Sequence, residues 1–501
     1  MNLLENPIFL TQKRLVHRAG VLAPILIAAV IGLSLLGGLI AYIFDPLTFD
    51  FRSVAEVGKV FYSWIIVMQA VALLLLGATK IVQTVAEERK AGLIDSNRLT
   101  PLRPCEIVAG YWLGSPLAEF YMTVVLGVIG FVITLVASLP VGLWLGTQML
   151  IFGTALVVGL FGVLTGMTMQ KTHTTFLVLL FLVFLFMPFV FGYPKINLIN
   201  FLLPIYATLN LLWDGGGETG RISDWIGWPT IFGQHIPPVL LTLLCQAILG
   251  IVFWRGAVRK AASPFQLMPR WDAVAIFALL VWAQHGLMWN VWRGQWPMKN
   301  SWVEEIPGML LAAIHACTII LGAAILAFIA PDTQRVRLDL LRAAAPGFGL
   351  VLRRSSVPFA FVLTAISGSA TATHIIHSWH EAGKAFALAV CSLLICFLSF
   401  VLLLEFCRLQ FNQSAPGFFA FGMFVLWALP FVLACIFPDS SLGNFSFIAP
   451  GIVALTEPYT HGQRFELTRV LSIQIGIVML LFIAWLFRWK KTIADLCAEP
   501  K

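Results

Sequence analysis

His374, His377, His380 and Glu381 form the sharpest group of potential metal ligands in the sequence. On a helix, His374, His377 and Glu381 share one face at i, i+3 and i+7, where two imidazole nitrogens and a carboxylate could meet a metal ion. The competing account is a set of polar residues at a membrane interface, because one helix would have to supply the whole cluster. His315 stands alone in an apolar run and suits a hydrogen bond within a helix bundle. Nucleotide hydrolysis by the usual phosphate loop is excluded, since no Gly-x-x-x-x-Gly-Lys-Ser/Thr occurs. The eight cysteines, Cys105, Cys245, Cys317, Cys391, Cys396, Cys407, Cys435 and Cys497, include no Cys-x-x-Cys pair. Neither a disulfide framework nor a zinc site is implied.

The elements that must position these groups are membrane helices. Of 501 residues, 59% are hydrophobic and 11% charged, with a mean hydropathy of +0.90; a soluble domain carries about 25% charged residues. A spanning helix needs ~20 apolar residues. Twelve such runs are expected, at 21–44, 61–80, 115–138, 141–168, 174–193, 237–255, 271–290, 308–330, 357–376, 384–404, 416–437 and 469–487. The fold expected is therefore an all-α polytopic membrane protein. With both termini on the cytoplasmic side, inner segments collect 23 of the 32 Lys and Arg, as the positive-inside rule requires. The net charge of +8 is thereby read as topology, and no nucleic acid partner is expected. The first apolar run is long enough to span and no small-residue cleavage site follows it, so it is expected to stay as a span. Trp225, Trp228, Trp289, Trp292, Trp296 and Trp302 fall at outer boundaries and Trp254, Trp271 and Trp489 at inner ones, where an interfacial aromatic belt belongs. No charged residue lies at the centre of a span; Glu119, Asp272 and Glu405 sit at inner ends. Ion-coupled carriers place ionisable groups near the midplane, which argues against that class.

The chain also reads as two halves: a first six-span unit at 1–257, a basic, Pro-containing cytoplasmic linker at 258–270, and a second six-span unit at 271–501, a degenerate repeat of the first. In each half the longest cytoplasmic loop follows the second span, and the longest outer segment precedes the sixth. Those outer segments, 196–213 and 444–459, share a faint pattern, Asn200-Phe201, Pro204 and Leu209 against Phe447, Pro450 and Leu455, with the same Pro-to-Leu distance. Both are apolar enough to be re-entrant or interfacial helical pairs, with the chain broken only where protein covers it. Gly153, Gly159, Gly162 and Gly166 in the fourth span permit close helix contact.

Residues 86–111 read AEERKAGLIDSNRLTPLRPCEIVAGY. Glu87 to Lys90 extend the second span into the cytoplasm, and Gly92 permits a change of direction. A short helix over Leu93 to Leu99 is expected across the membrane surface. Thr100-Pro101 looks like the start of the next helix, a capping hydroxyl with Pro at the first position, running on into the third span, with Glu106 near its positive end. At the N-terminus, Glu5-Asn6-Pro7-Ile8 opens an amphipathic helix with Ile8, Phe9, Leu15 and Val16 on one side and Lys13, Arg14, His17 and Arg18 on the other.

This loop resembles the one between the second and third spans of ABC type-2 permeases, whose pattern runs Glu-Arg-Glu-x-Gly-Thr-Leu-Glu, then Thr-Pro-Leu-Ser, then Glu-Ile-Val-x-Gly-Lys. The sequence matches at Glu88, Arg89, Gly92, Ile94, Asp95, Thr100, Pro101, Leu102, Glu106, Ile107, Val108 and Gly110, and departs at Lys90, Leu93, Asn97, Arg103 and Tyr111. The resemblance covers 1–257; over 258–501 it rests on layout, since 331–356 lacks the Glu-x-x-x-Gly and Thr-Pro elements. It implies the transmembrane subunit of an ATP-driven exporter in the inner membrane, not itself an enzyme. This chain would bind no cofactor, while ATP and Mg would be used by a separate dimer of ABC ATPase subunits. Glu88, Arg89, Gly92, Leu93, Ile94, Asp95, Arg98, Thr100, Pro101 and Glu106 would form the coupling helix and its flanks, and Pro7, Lys13, Arg14 and Arg18 would belong to a surface helix touching the ATPase. The transported substrate is not implied. The other readings are a secondary transporter and a membrane-embedded metalloenzyme using His374, His377 and Glu381.

Overall fold

The computed structural model describes residues 6–20, 22–44, 54–168, 198–202, 204–213, 229–263, 275, 278–279, 282–284, 286–287, 382–411, 418–419, 421–422, 424–429 and 467–498. Over these residues the chain is an all-α fold of the polytopic membrane kind. Among the described residues six helices are long and apolar enough to cross a bilayer: Ala23–Ala41, Val54–Lys90, Leu117–Val136, Val141–Met167, Pro238–Ala262 and Arg469–Asp495. They coincide with the first four, the sixth and the twelfth of the expected spans. The chain divides into two compact units, Met1–Pro229 with His235–Gln266, and Thr230–Gln234 with Leu267–Lys501.

In the first unit, α1 (Pro7–Ala19) and α2 (Leu22–Phe44) are followed by α3 (Val54–Ala70), a π-helical stretch at Val71–Gly77, and α4 (Ala78–Lys90), which together make one long rod. Its 37 residues extend about 55 Å at 1.5 Å each, well beyond the ~30 Å of bilayer hydrocarbon. Residues 60–79, between Lys59 and Lys80, carry no charge and are the part that matches that thickness. The last turns of α4 therefore stand outside the hydrocarbon. Then come α5 (Leu93–Leu99), α6 (Pro104–Gly114), α7 (Leu117–Val136), α8 (Val141–Thr168), α9 (Ile199–Leu202), α10 (Pro204–Trp213) and α11 (Pro238–Ala262); the hairpin of β1 (Thr230–Ile231) and β2 (Gln234–His235), which falls between α10 and α11 in the chain, is counted with the second unit up to Gln234.

Two departures from the expected spans have local causes. The third span does not begin inside a continuous helix, because Ser115-Pro116 separates α6 from α7; Pro116 has no N–H to continue the ladder. The helix of the sixth span continues past its expected end at 255, since α11 runs unbroken to Ala262. The expected helical pair at 196–213 takes the form of α9 and α10, split at Pro204, which cannot extend α9, with Phe201, Tyr206, Ala207 and Leu212 buried. Its counterpart at 444–459 lies outside the described residues.

Between α3, α7 and α8 the core is polar as well as apolar. Around Ile65, Leu126, Ile133 and Leu143, the Gln69 and Gln148 amides bond reciprocally at 3.1 Å each way, and Gln69 Nε2 also donates to the Thr123 carbonyl at 3.0 Å. Tyr62 and Thr147 share a hydroxyl hydrogen bond. These groups carry no charge, and in hydrocarbon each must find its partner inside the protein. Gln69→Leu is expected to cost about 1–3 kcal/mol by orphaning the Gln148 amide. Adding Gln148→Leu should restore most of that loss. Unfolding of the purified chain in detergent checks both; a double variant as unstable as the sum of the singles would refute the pairing.

The described part of the second unit includes α12 (Ala382–Phe411) and α13 (Leu467–Ala498), packed through Leu402, Leu409, Trp485 and Trp489. Glu405, expected at an inner end, lies six residues before the end of α12 and accepts from Trp485 Nε1 at 3.0 Å. The cysteines Cys105, Cys245, Cys391, Cys396 and Cys407 are free thiols.

Candidate functional site

The segment singled out in the sequence is built by its caps. α4 closes at Lys90, where the Ala91 N–H donates to the Glu87 carbonyl at 2.9 Å. Gly92 then turns the chain with φ +74°, a left-handed conformation that residues with a Cβ adopt at a cost. The seven-residue α5 follows with the expected bounds, Leu93 to Leu99.

The next helix starts later than expected. Thr100 caps the C-terminus of α5, its hydroxyl donating to the Asn97 carbonyl at 2.6 Å, and Pro101 lies in the connection. α6 begins at Pro104, and Glu106 closes its first turn by accepting from the Arg103 N–H at 2.9 Å. That second Pro, with an acid two residues on, is the stronger start signal.

α5 has an inner and an outer face. Ile94 is wholly buried in a cluster with Ile81, Val85, Ile107, Val108, Leu160 and Ala257. Arg98 turns inward: its Nε and Nη2 donate to the carbonyls of Ala261 and Lys260 at 3.0 and 2.8 Å, and it also pairs with Asp95. It thus caps the C-terminus of α11, where helix carbonyls are unsatisfied and carry partial negative charge. The outer face shows Asp95, Leu93 (49% exposed) and Leu99 (90% exposed). Among the described residues nothing covers a leucine left that open in the segment beyond the bilayer.

α1 lies on α6. Asn6 caps α1 by accepting from the Ile8 and Phe9 N–H groups at 2.9 and 3.4 Å, and its Nδ2 donates to the Glu106 carbonyl at 2.6 Å. Pro7 sits at the first helical position. The seat is made by Gly110 and Gly114, where a Cβ would come within 2.9 Å of Ile8 Cβ and of Gln12 Cβ respectively. The buried side of α1 is therefore Asn6, Ile8 and Gln12, while Lys13 and Arg14 are exposed and so is Leu15. Leu15 had been expected on the apolar side with Ile8. The Arg18 side chain lies outside the described residues.

Glu88 joins these parts. Its Oε1 accepts from Gln12 Nε2 at 2.6 Å and its Oε2 from the Tyr111 hydroxyl at 2.5 Å; Asn97 Nδ2 donates to the same hydroxyl at 3.2 Å. Burial pushes the Glu88 carboxyl above its ordinary pKa, with the Tyr111 and Gln12 hydrogen bonds pulling the other way. Burial and the adjoining carboxylate raise the Tyr111 phenol, which stays a donor. Arg89 is half-buried beside it. Gln12, Asn97 and Tyr111 were not candidates in the sequence, although Asn97 and Tyr111 are two of the positions that depart from the permease pattern.

The fourth-span glycines do allow close approach: a Cβ at Gly159 would meet the Trp112 ring at 2.7 Å and one at Gly166 would meet Val85 at 2.8 Å. His374, His377 and Glu381 lie outside the described residues. No family model, curated protein or solved structure matches the chain.

Proposed function

We propose that this chain is the permease subunit of an ATP-driven ABC transporter, an exporter whose ATPase is a separate chain, with α5 as the coupling helix. The observation that carries this reading is the shape of α5: a short helix beyond the membrane, tied inward to the ends of other helices through Ile94 and Arg98, with leucine side chains facing out. A lever between an ATPase and a set of spans needs those properties. Residues 60–79, 120–136, 141–168 and 238–254 carry no charge, and the buried Glu119 in the first turn of α7 lies 3.8 Å from Lys80 at one end of the uncharged stretch; charge confined to the ends of spans supports this reading against ion coupling. In this reading twelve spans form two fused six-span units in the inner membrane, with both termini cytoplasmic, so one chain serves a pair of ATPase subunits.

Purification of the chain from its native membrane in mild detergent tests the reading. The expected product is a complex containing a chain with a phosphate loop, two ATPase copies per permease, and ATP hydrolysis in the isolated complex. A chain that purifies alone and moves solute in liposomes under an ion gradient would overturn it.

A further inference from the structure

We propose that Glu88 is a positioning residue that fastens α1 and α5 to the end of α4, so that the three move as one body; this rests on the coupling role given to α5 above. Backbone alone cannot do so. Gly92, the link from α4 to α5, is left-handed with open space where a Cβ would stand, and residues 100–103 lie between helices. Seven residues are too few to hold a helix unaided. The direction of α5 is therefore set by side chains.

Arg98 anchors α5 on the side of α11, and Ile94 packs it among α4, α6, α8 and α11. Beside that apolar contact its polar tie toward α4 runs from Asn97 to Tyr111 to Glu88, and Glu88 in turn holds Gln12 of α1. Each carboxylate oxygen takes a donor from a different helix. A partly buried carboxylate that loses a donor bears a desolvation penalty, and hydrogen bonds to ionised groups are roughly twice as strong as neutral ones. One side chain thus links α1, α4, α5 and α6. Asn97 and Tyr111 both depart from the permease pattern, so this joint belongs to the chain's own sequence.

Hydrogen exchange on the full chain in lipid nanodiscs tests the joint. In Glu88→Ala, amides of Pro7–Ala19 and of Leu93–Leu99 are expected to exchange about tenfold faster together, with α8 unchanged. Glu88→Gln keeps an acceptor for Tyr111 and a hydrogen-bonding partner for Gln12, and should return both segments to within about threefold of the parent. A response in one segment only, in neither, or no rescue by glutamine overturns the proposal. If Glu88→Ala does not fold, Gln12→Ala should free α1 alone and Tyr111→Phe should free α5 alone; any other pattern overturns it equally. Exchange is read on this chain without an ATPase, so its outcome is separate from that of the purification, which tests the reading of α5.

Discussion

Leu99→Asp is expected to weaken binding of the ATPase partner proposed above about a hundredfold while leaving the fold of the chain unchanged. Leu99 is 90% exposed, so the substitution removes nothing from the interior. Burying a leucine in a partner's groove is worth about 1.5–3 kcal/mol, and each 1.4 kcal/mol is tenfold in affinity. An aspartate in the same groove adds the cost of an unpaired buried charge. Leu93→Asp should act in the same direction and less strongly, because Leu93 is already half-covered. The measurement is the dissociation constant between the purified ATPase and the chain in nanodiscs. Unchanged affinity would remove α5 as the docking element. Arg98→Glu is a different perturbation, since Arg98 caps α11; its effect should appear as lower thermal stability of the chain without any ATPase present.

Gly114→Leu should release α1 from its seat. A Cβ there would stand 2.9 Å from Gln12 Cβ and 3.4 Å from Phe9 Cα. The second of these is backbone and cannot swing aside, and three further carbons have no space. Overpacking of this kind costs typically about 1–3 kcal/mol, and loss of the Ile8 burial adds a similar amount. Trypsin cleavage at Lys13 and Arg14, which requires α1 to open, is expected to speed up roughly 30-fold or more. An unaltered cleavage rate would show that α1 does not depend on this contact. Gly110→Leu should do the same through Ile8.

Much of the site was legible because it is written locally. Gly92 marks a turn wherever a left-handed residue is needed, Asn6-Pro7 is a cap by its own chemistry, and the bounds of α5 follow from breaks on either side. The start of α6 was misplaced by three residues because two X-Pro signals, at Pro101 and Pro104, compete; Glu106 reaching back to Arg103 decides between them. The face of α1 was misread for another reason. Leu15 is apolar and Gln12 polar, so polarity alone turns the helix the wrong way; the Glu88 carboxylate makes the glutamine the buried residue.

From the sequence alone came the bilayer as solvent, the place of the six described spans, and the short helix beyond the second of them. Those follow from run length, charge scarcity and cap chemistry, which are properties of neighbouring residues. Only the tertiary structure decided that Arg98 reaches carbonyls 162 and 163 positions away, that Glu88 gathers donors 76 positions before it and 23 after, and that α5 has an inner and an outer side. A hydrogen bond between distant segments leaves no periodic trace in either one. It exists because packing of Ile94, Ile107 and Leu160 first brings the helix ends together, and the polar groups stranded there must then find one another.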